Sequence, residues 1–80
     1  MEGKMYIHFE QAKSEGKTNI YDCINNNGVQ VGQIKWFGAW RKYCFYSING
    51  IYDNNCLLEI ITFLDNINKE WRYGRKKNIR

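Results

Sequence analysis

The hydrophobic period of this chain changes once, near residue 53, and that change limits what it can fold into. Before it, apolar residues recur at every second position, in runs separated by turn-forming residues; after it, they recur every three and four. Period two belongs to strands with one face buried, and a period near 3.6 to an amphipathic helix. The connections between the early runs are short, which suits antiparallel neighbours. The pattern predicts an α+β fold: an antiparallel four-stranded meander sheet of order β-β-β-β-α, with one C-terminal helix packed on one face. Eighty residues leave room for one domain, assigned to residues 1–73, with residues 74–80 as a basic tail.

The first strand is read over residues 4–11, with Met5, Ile7 and Phe9 on one face and Tyr6, His8 and Glu10 on the other. Residues 12–17 are read as a polar connection. The second strand spans residues 18–25 and ends at Asn26-Asn27-Gly28, whose residue types accept positive φ. The third runs over residues 29–37 and the fourth over residues 40–48, separated by a turn at Gly38-Ala39. A second Asn-Gly pair, Asn49-Gly50, precedes Ile51-Tyr52, read as a short paired stub. The expected partners of the helix on the sheet are Ile20, Ile24, Ile34, Trp36, Tyr43 and Phe45.

The helical stripe is Cys56, Ile60, Phe63, Ile67 and Trp71, flanked by Leu57, Ile61 and Leu64. Asp53-Asn54-Asn55 offers an N-cap, Glu59 is placed near the first turn, and Gly74 is read as the stop. A single helix on a single sheet gives an eighty-residue chain little burial to spare, so a homo-oligomer is expected.

One helix cannot cover both sheet faces. The uncovered face is expected to show Val31, Gln33, Lys35, Phe37, Trp40, Lys42, Cys44 and Tyr46, a mixture of large rings and lysines. Such a patch suits packing between copies, or it suits nucleic acid, whose bases stack on rings while its phosphates meet cations. The candidate ligand-binding residues are Lys35, Phe37, Trp40, Arg41, Lys42 and Tyr46. In an unbroken strand Arg41 shares a face with Tyr43 and Phe45, and a pairing with Asp22 is its bland alternative.

Charge points the same way. The net charge is +4, yet residues 69–80 hold Lys69, Arg72, Arg75, Lys76, Lys77 and Arg80 against Glu70 alone. Lys35, Arg41 and Lys42 form a second basic cluster, followed by an acidic stretch containing Asp53, Glu59 and Asp65. A basic tail on a dipolar body favours encounter with an anionic partner. Its bland alternative is a solubilising end.

Catalysis and metals have little support. His8 is the sole histidine, and Cys23, Cys44 and Cys56 are widely spaced without a CxxC pair, so neither a zinc site nor a disulfide scaffold is expected. The cysteines read as buried apolar side chains in a reducing compartment. No phosphate-cradling glycine motif occurs, and no cofactor is expected. The first ten residues lack the apolar core of a secretory signal, and no run approaches the length of a membrane span, so a cytoplasmic location without membrane contact is expected.

The stretch Gly32-Gln33-Ile34-Lys35-Trp36-Phe37-Gly38-Ala39-Trp40-Arg41-Lys42-Tyr43-Cys44-Phe45-Tyr46, followed by Cys56-Leu57-Leu58-Glu59-Ile60-Ile61-Thr62-Phe63-Leu64, resembles a family of small proteins from phages, prophages and bacterial genomes. Their pattern is roughly G-x-I-x-W-[YF]-x-x-W-R-x-Y-x-F, then C-L-x-x-I-x-x-F. The resemblance covers residues 32–64, and Tyr46-Ser47-Ile48 stands where the family often has Phe-Pro. It implies a compact sheet-plus-helix module carried on mobile elements, acting in the host cytoplasm. The leading expectation is a non-enzymatic binding protein for an anionic nucleotide or nucleic acid. Two others stand beside it: an anti-defence inhibitor, for example an anti-CRISPR protein, contacting a host defence complex, and an assembly protein oligomerising through the open sheet face.

Overall fold

A computed structural model of the chain describes residues 6–48 and 50–79, with the side chains of Glu15 and of residues 73–79 set aside. Four strands, β1 (Ile7–Glu15), β2 (Thr18–Asn25), β3 (Gln30–Phe37) and β4 (Lys42–Ser47), precede one helix, α1 (Asn54–Ile79). The strands pair antiparallel in the order β1-β2-β3-β4. The expected α+β meander with a single C-terminal helix is the observed architecture.

Turn chemistry sets most of the boundaries. The segment read as a connection, residues 12–17, is largely strand: β1 continues to Glu15 and turns through Gly16-Lys17 alone. Gly16 takes φ 64°, the positive value needed at the first central position of a two-residue hairpin loop. At the next turn the Asn25 carboxamide accepts the N–H groups of Asn27 (2.9 Å) and Val29 (3.0 Å), while Gly28 adopts φ 83°. This side-chain mimic of a turn consumes Val29, so β3 begins at Gln30. Residues 51–52 form no strand. Tyr52 instead donates its hydroxyl to the Val31 carbonyl at 2.8 Å.

Two β-bulges decide which faces meet the helix. One falls between Gln11 and Lys13 on β1; the other leaves Val31 as an extra residue on β3, between the pairs Cys23↔Gly32 and Ile24↔Gln30. Val31 consequently joins the core and leaves the open face on which it was expected. On β2 the expected parity is reversed. Tyr21 pairs with Ile34 and Cys23 with Gly32, so Tyr21 and Cys23 face the helix while Ile20 and Ile24 do not. The opposite parity would bury Asp22 under α1. On the open face the Asp22 carboxylate accepts Gln30 Nε2 (2.9 Å) and Gln33 Nε2 (3.0 Å), which removes the cost of an unpaired buried charge.

The core lies between α1 and this inner face. Ile7, Cys23, Val31, Ile34, Tyr43, Ile60 and Ile67 are buried there, with Cys23 and Ile34 fully sealed. Phe9 stacks on Phe63 at 4.2 Å between centroids, and Trp36 leans on Trp71 at 4.5 Å. Gly32 sits where the Phe45 ring crosses β3: a Cβ there would meet the ring at 2.6 Å and the Tyr46 carbonyl at 2.7 Å. The cysteines divide: Cys23 is buried as expected, while Cys44 and Cys56 are only partly covered.

Polar clips fasten the helix to both ends of the sheet. The Asp53 carboxylate caps α1 by accepting the Cys56 N–H at 2.9 Å, a bond that also holds its pKa below the usual range. Glu59 lies beyond the first turn, contrary to its expected role opposite the helix dipole. Its carboxylate reaches the start of β1, accepting the N–H groups of Tyr6 and Ile7 at 2.9 Å each. Asn68 does the corresponding work on β4: its Oδ1 accepts the Tyr43 N–H at 2.8 Å and its Nδ2 donates to the Tyr43 carbonyl at 3.3 Å. α1 passes through Gly74 without stopping and continues to Ile79.

A basic and aromatic groove at the β3–β4 turn

The turn between β3 and β4 is longer than the sequence suggested. Lys42, not Trp40, opens β4, because residues 38–41 fold into a turn. The Phe37 carbonyl accepts the N–H groups of both Trp40 (3.2 Å) and Arg41 (2.9 Å), and Arg41 takes a left-handed φ of 56°. Arg41 is therefore a turn residue and not a strand residue sharing the face of Tyr43. Asp22, its expected partner, is held by two glutamines. The left-handed backbone is unusual for a residue with a Cβ.

This turn stands beside the later part of α1, and a groove of about 630 Å³ lies between them, lined by Trp40, Arg41, Lys42, Asp65, Asn66, Asn68, Lys69, Trp71 and Arg72. The volume is that of a small-molecule site. Among the described residues four cations meet one carboxylate there, with two indoles in the wall. The Asn68 clip supports the groove from below by fixing α1 to the first residues of β4.

Two sets of residues that the sequence presents separately converge here. Trp40, Arg41 and Lys42 come from the strand-region cluster, and Lys69 and Arg72 from the basic end of the chain. The remaining basic-tail candidates fall elsewhere: Arg75, Lys76 and Lys77 have side chains outside the described residues, and Arg80 lies outside them altogether. Trp71, Asn66, Asn68 and Asp65 were not singled out as site residues. Trp71 was legible only as part of the apolar stripe, although its position between Lys69 and Arg72 was a usable signal.

Lys35, Phe37 and Tyr46 occupy the sheet face away from the helix, as expected. The register pairs Gln33 with Tyr46, Lys35 with Cys44 and Phe37 with Lys42. Phe37 meets Trp40 edge to face at 5.0 Å and Tyr46 at 6.4 Å. Lys35 Nζ stands 4.7 Å from the Tyr46 ring centroid, a cation–π contact. Trp40 is 68% exposed while Phe37 and Tyr46 are half-buried, so the three rings form one cluster outside the helix-covered core. Trp40 and Lys42 belong to both surfaces. On the other half of the open face Glu10 pairs across β1 and β2 with Asp22, and Lys13 with Ile20.

Among the described residues no group of three or more His, Cys, Asp or Glu side chains is placed to hold a metal ion, and no helix is long and apolar enough to cross a membrane.

No protein-family model and no solved structure matches the chain. A curated phage protein does. The chain is 34% identical over 68 residues to a protein of Acholeplasma phage L2 described as an uncharacterized 9.3 kDa protein, a match covering 81% of this chain and 87% of that protein. A likeness of that extent spans the sheet and helix together rather than one motif, and the chain belongs to the family of this small phage protein.

Proposed function

We propose that this phage-family chain is a non-enzymatic binding protein that takes an anionic nucleotide or nucleic acid in the groove between the β3–β4 turn and α1. The observation that carries the reading is the gathering of Arg41, Lys42, Lys69 and Arg72 around Trp40 and Trp71, with Asp65 as the sole carboxylate in the wall among the described residues. Cations of this density attract phosphate, and arginine meets it through paired donors. Indoles supply flat apolar surface for a base.

Titrating a nucleoside monophosphate and a labelled oligonucleotide, with tryptophan fluorescence and anisotropy as readouts, tests this. Binding is expected to weaken as salt rises, and Arg72→Glu combined with Arg41→Glu should reduce affinity at least about tenfold. Absence of binding to either probe at low salt would overturn the proposal. Affinity that survives the double charge reversal but is lost on removing residues 75–80 would move the site to the tail.

Self-association is a second reading. Leu57, Leu58 and Ile61 stand exposed on α1, an apolar surface that supports association through the helix beside the ring cluster of the open sheet face. Light scattering on the wild type and on Ile61→Glu distinguishes a dimer from a monomer.

A further inference from the structure

The groove and the open-face cluster are not separate patches. Trp40 and Lys42 line the groove, and the same Trp40 touches Phe37, which touches Tyr46, over whose ring Lys35 sits. Lys42 is the β4 partner of Phe37, and Lys35 is the partner of Cys44, one pleat further along the same face. Basic and aromatic groups thus follow one another from Arg72 and Lys69 on α1, over the turn at Arg41 and Trp40, to Lys42 and Lys35 on the sheet. The run is bounded at β2, where Asp22 pairs across with Glu10 and sets two carboxylates on the open face.

From this continuity we infer that the ligand of the proposed site is a single-stranded nucleic acid of several nucleotides, which enters the groove and crosses the β3–β4 turn onto the open sheet face. The inference rests on the groove being the anion site proposed above. A free nucleotide needs only the groove. A second basic and aromatic surface joined to it by a shared tryptophan is of use to a chain of linked nucleotides. Trp40, the most exposed ring of the cluster, offers a face for a base at the crossing point. Lys35 already lies over the Tyr46 ring, so this end of the track presents an ammonium to a phosphate more readily than a ring to a base. A duplex cannot follow the same course, because its bases are stacked on one another and unavailable to the indole.

The salt dependence gives the inference a number. The log–log slope for single strands is about −0.7 per phosphate neutralised. Contacts confined to the four groove cations, Arg41, Lys42, Lys69 and Arg72, give a slope of about −2.8, and adding Lys35 brings it to about −3.5. The experiment compares a mononucleotide with single-stranded DNA and RNA oligomers of increasing length and with a blunt duplex, on the wild-type chain and on Lys35→Gln. Expected are an affinity that climbs with length before levelling off, a steeper salt slope for the longer oligomers, and a Lys35→Gln defect seen with the oligomers and not with the mononucleotide. Circular dichroism of the variant confirms that the sheet is intact; should Lys35→Gln fail to fold, the length series and its salt slopes decide alone. Equal affinity for mononucleotide and oligomer, or preference for the duplex, overturns the track while leaving the groove proposal standing. No binding to any of these probes overturns both.

Discussion

Replacing Asn68 tests whether the contact that fastens α1 to β4 holds both the fold and the groove. Its carboxamide serves Tyr43 twice, accepting the main-chain N–H at 2.8 Å and donating to the carbonyl at 3.3 Å. β4 is an edge strand, so no neighbouring strand can take over these two backbone groups. A neutral hydrogen bond contributes about 0.5–1.5 kcal/mol net, and more when its loss strands a covered partner. Asn68→Ala should therefore cost about 2 kcal/mol. Asn68→Asp keeps the acceptor for the N–H but sets an oxygen against the carbonyl, so it should recover no more than half of that loss. Asn66→Ala is the control: it lines the same groove, no hydrogen bond among the described residues ties its side chain to the sheet, and its cost should be under about 0.5 kcal/mol. Urea unfolding followed by tryptophan fluorescence measures all three, with the midpoint reporting stability at constant m-value. The Trp36–Trp71 pair at 4.5 Å gives the signal its sensitivity to helix docking. Equal stability of Asn68→Ala and Asn66→Ala would refute the clip, and the account of how the groove is positioned would go with it.

Three further outcomes follow from the same geometry. Gly32→Val should destabilise by about 2 kcal/mol or more in urea unfolding, because the new side chain meets the Phe45 ring and the fixed Tyr46 carbonyl; a neutral result would mean that the two strands part at little cost. Glu59→Gln should cost about 1–2 kcal/mol in the same assay, since the amide loses the charge that strengthens the bonds from Tyr6 and Ile7. The Cys23 thiol is pushed up to about 12, first by burial and then by the Asp22 charge, from an ordinary 9.0. Between those values the unfolded chain binds fewer protons than the folded one, so stability should fall as pH rises, by at most about 1.4 kcal/mol per pH unit. Cys23→Ala should flatten that decline, and in the native wild type a thiol reagent at pH 8 should reach Cys44 well before Cys23.

What local chemistry governs was readable residue by residue. The hairpin turn at Asn26-Asn27-Gly28, the cap at Asp53 and the switch from alternating to helical period depend on neighbours in sequence, and they set the element order and the single-helix architecture. The same locality made Phe37, Trp40 and Tyr46 recognisable as rings that one helix would leave outside. The left-handed turn at Arg41 was not visible in this way, because an arginine carries no mark of positive φ, and the fourth strand accordingly looked two residues too long at its start.

Which face of β2 turns inward was decided by tertiary structure alone. Both alternations carry apolar residues, and the choice fell to Tyr21 and Cys23 because Asp22 finds Gln30 and Gln33 only on the outer face, with bulges shifting β1 and β3 to match. The groove is of the same kind. Lys42 and Arg72 are remote in sequence, and α1 brings them together only because Glu59 ties it to β1 and Asn68 to β4. Periodicity shows which residues can be neighbours along one element; packing and the satisfaction of polar groups choose which elements meet.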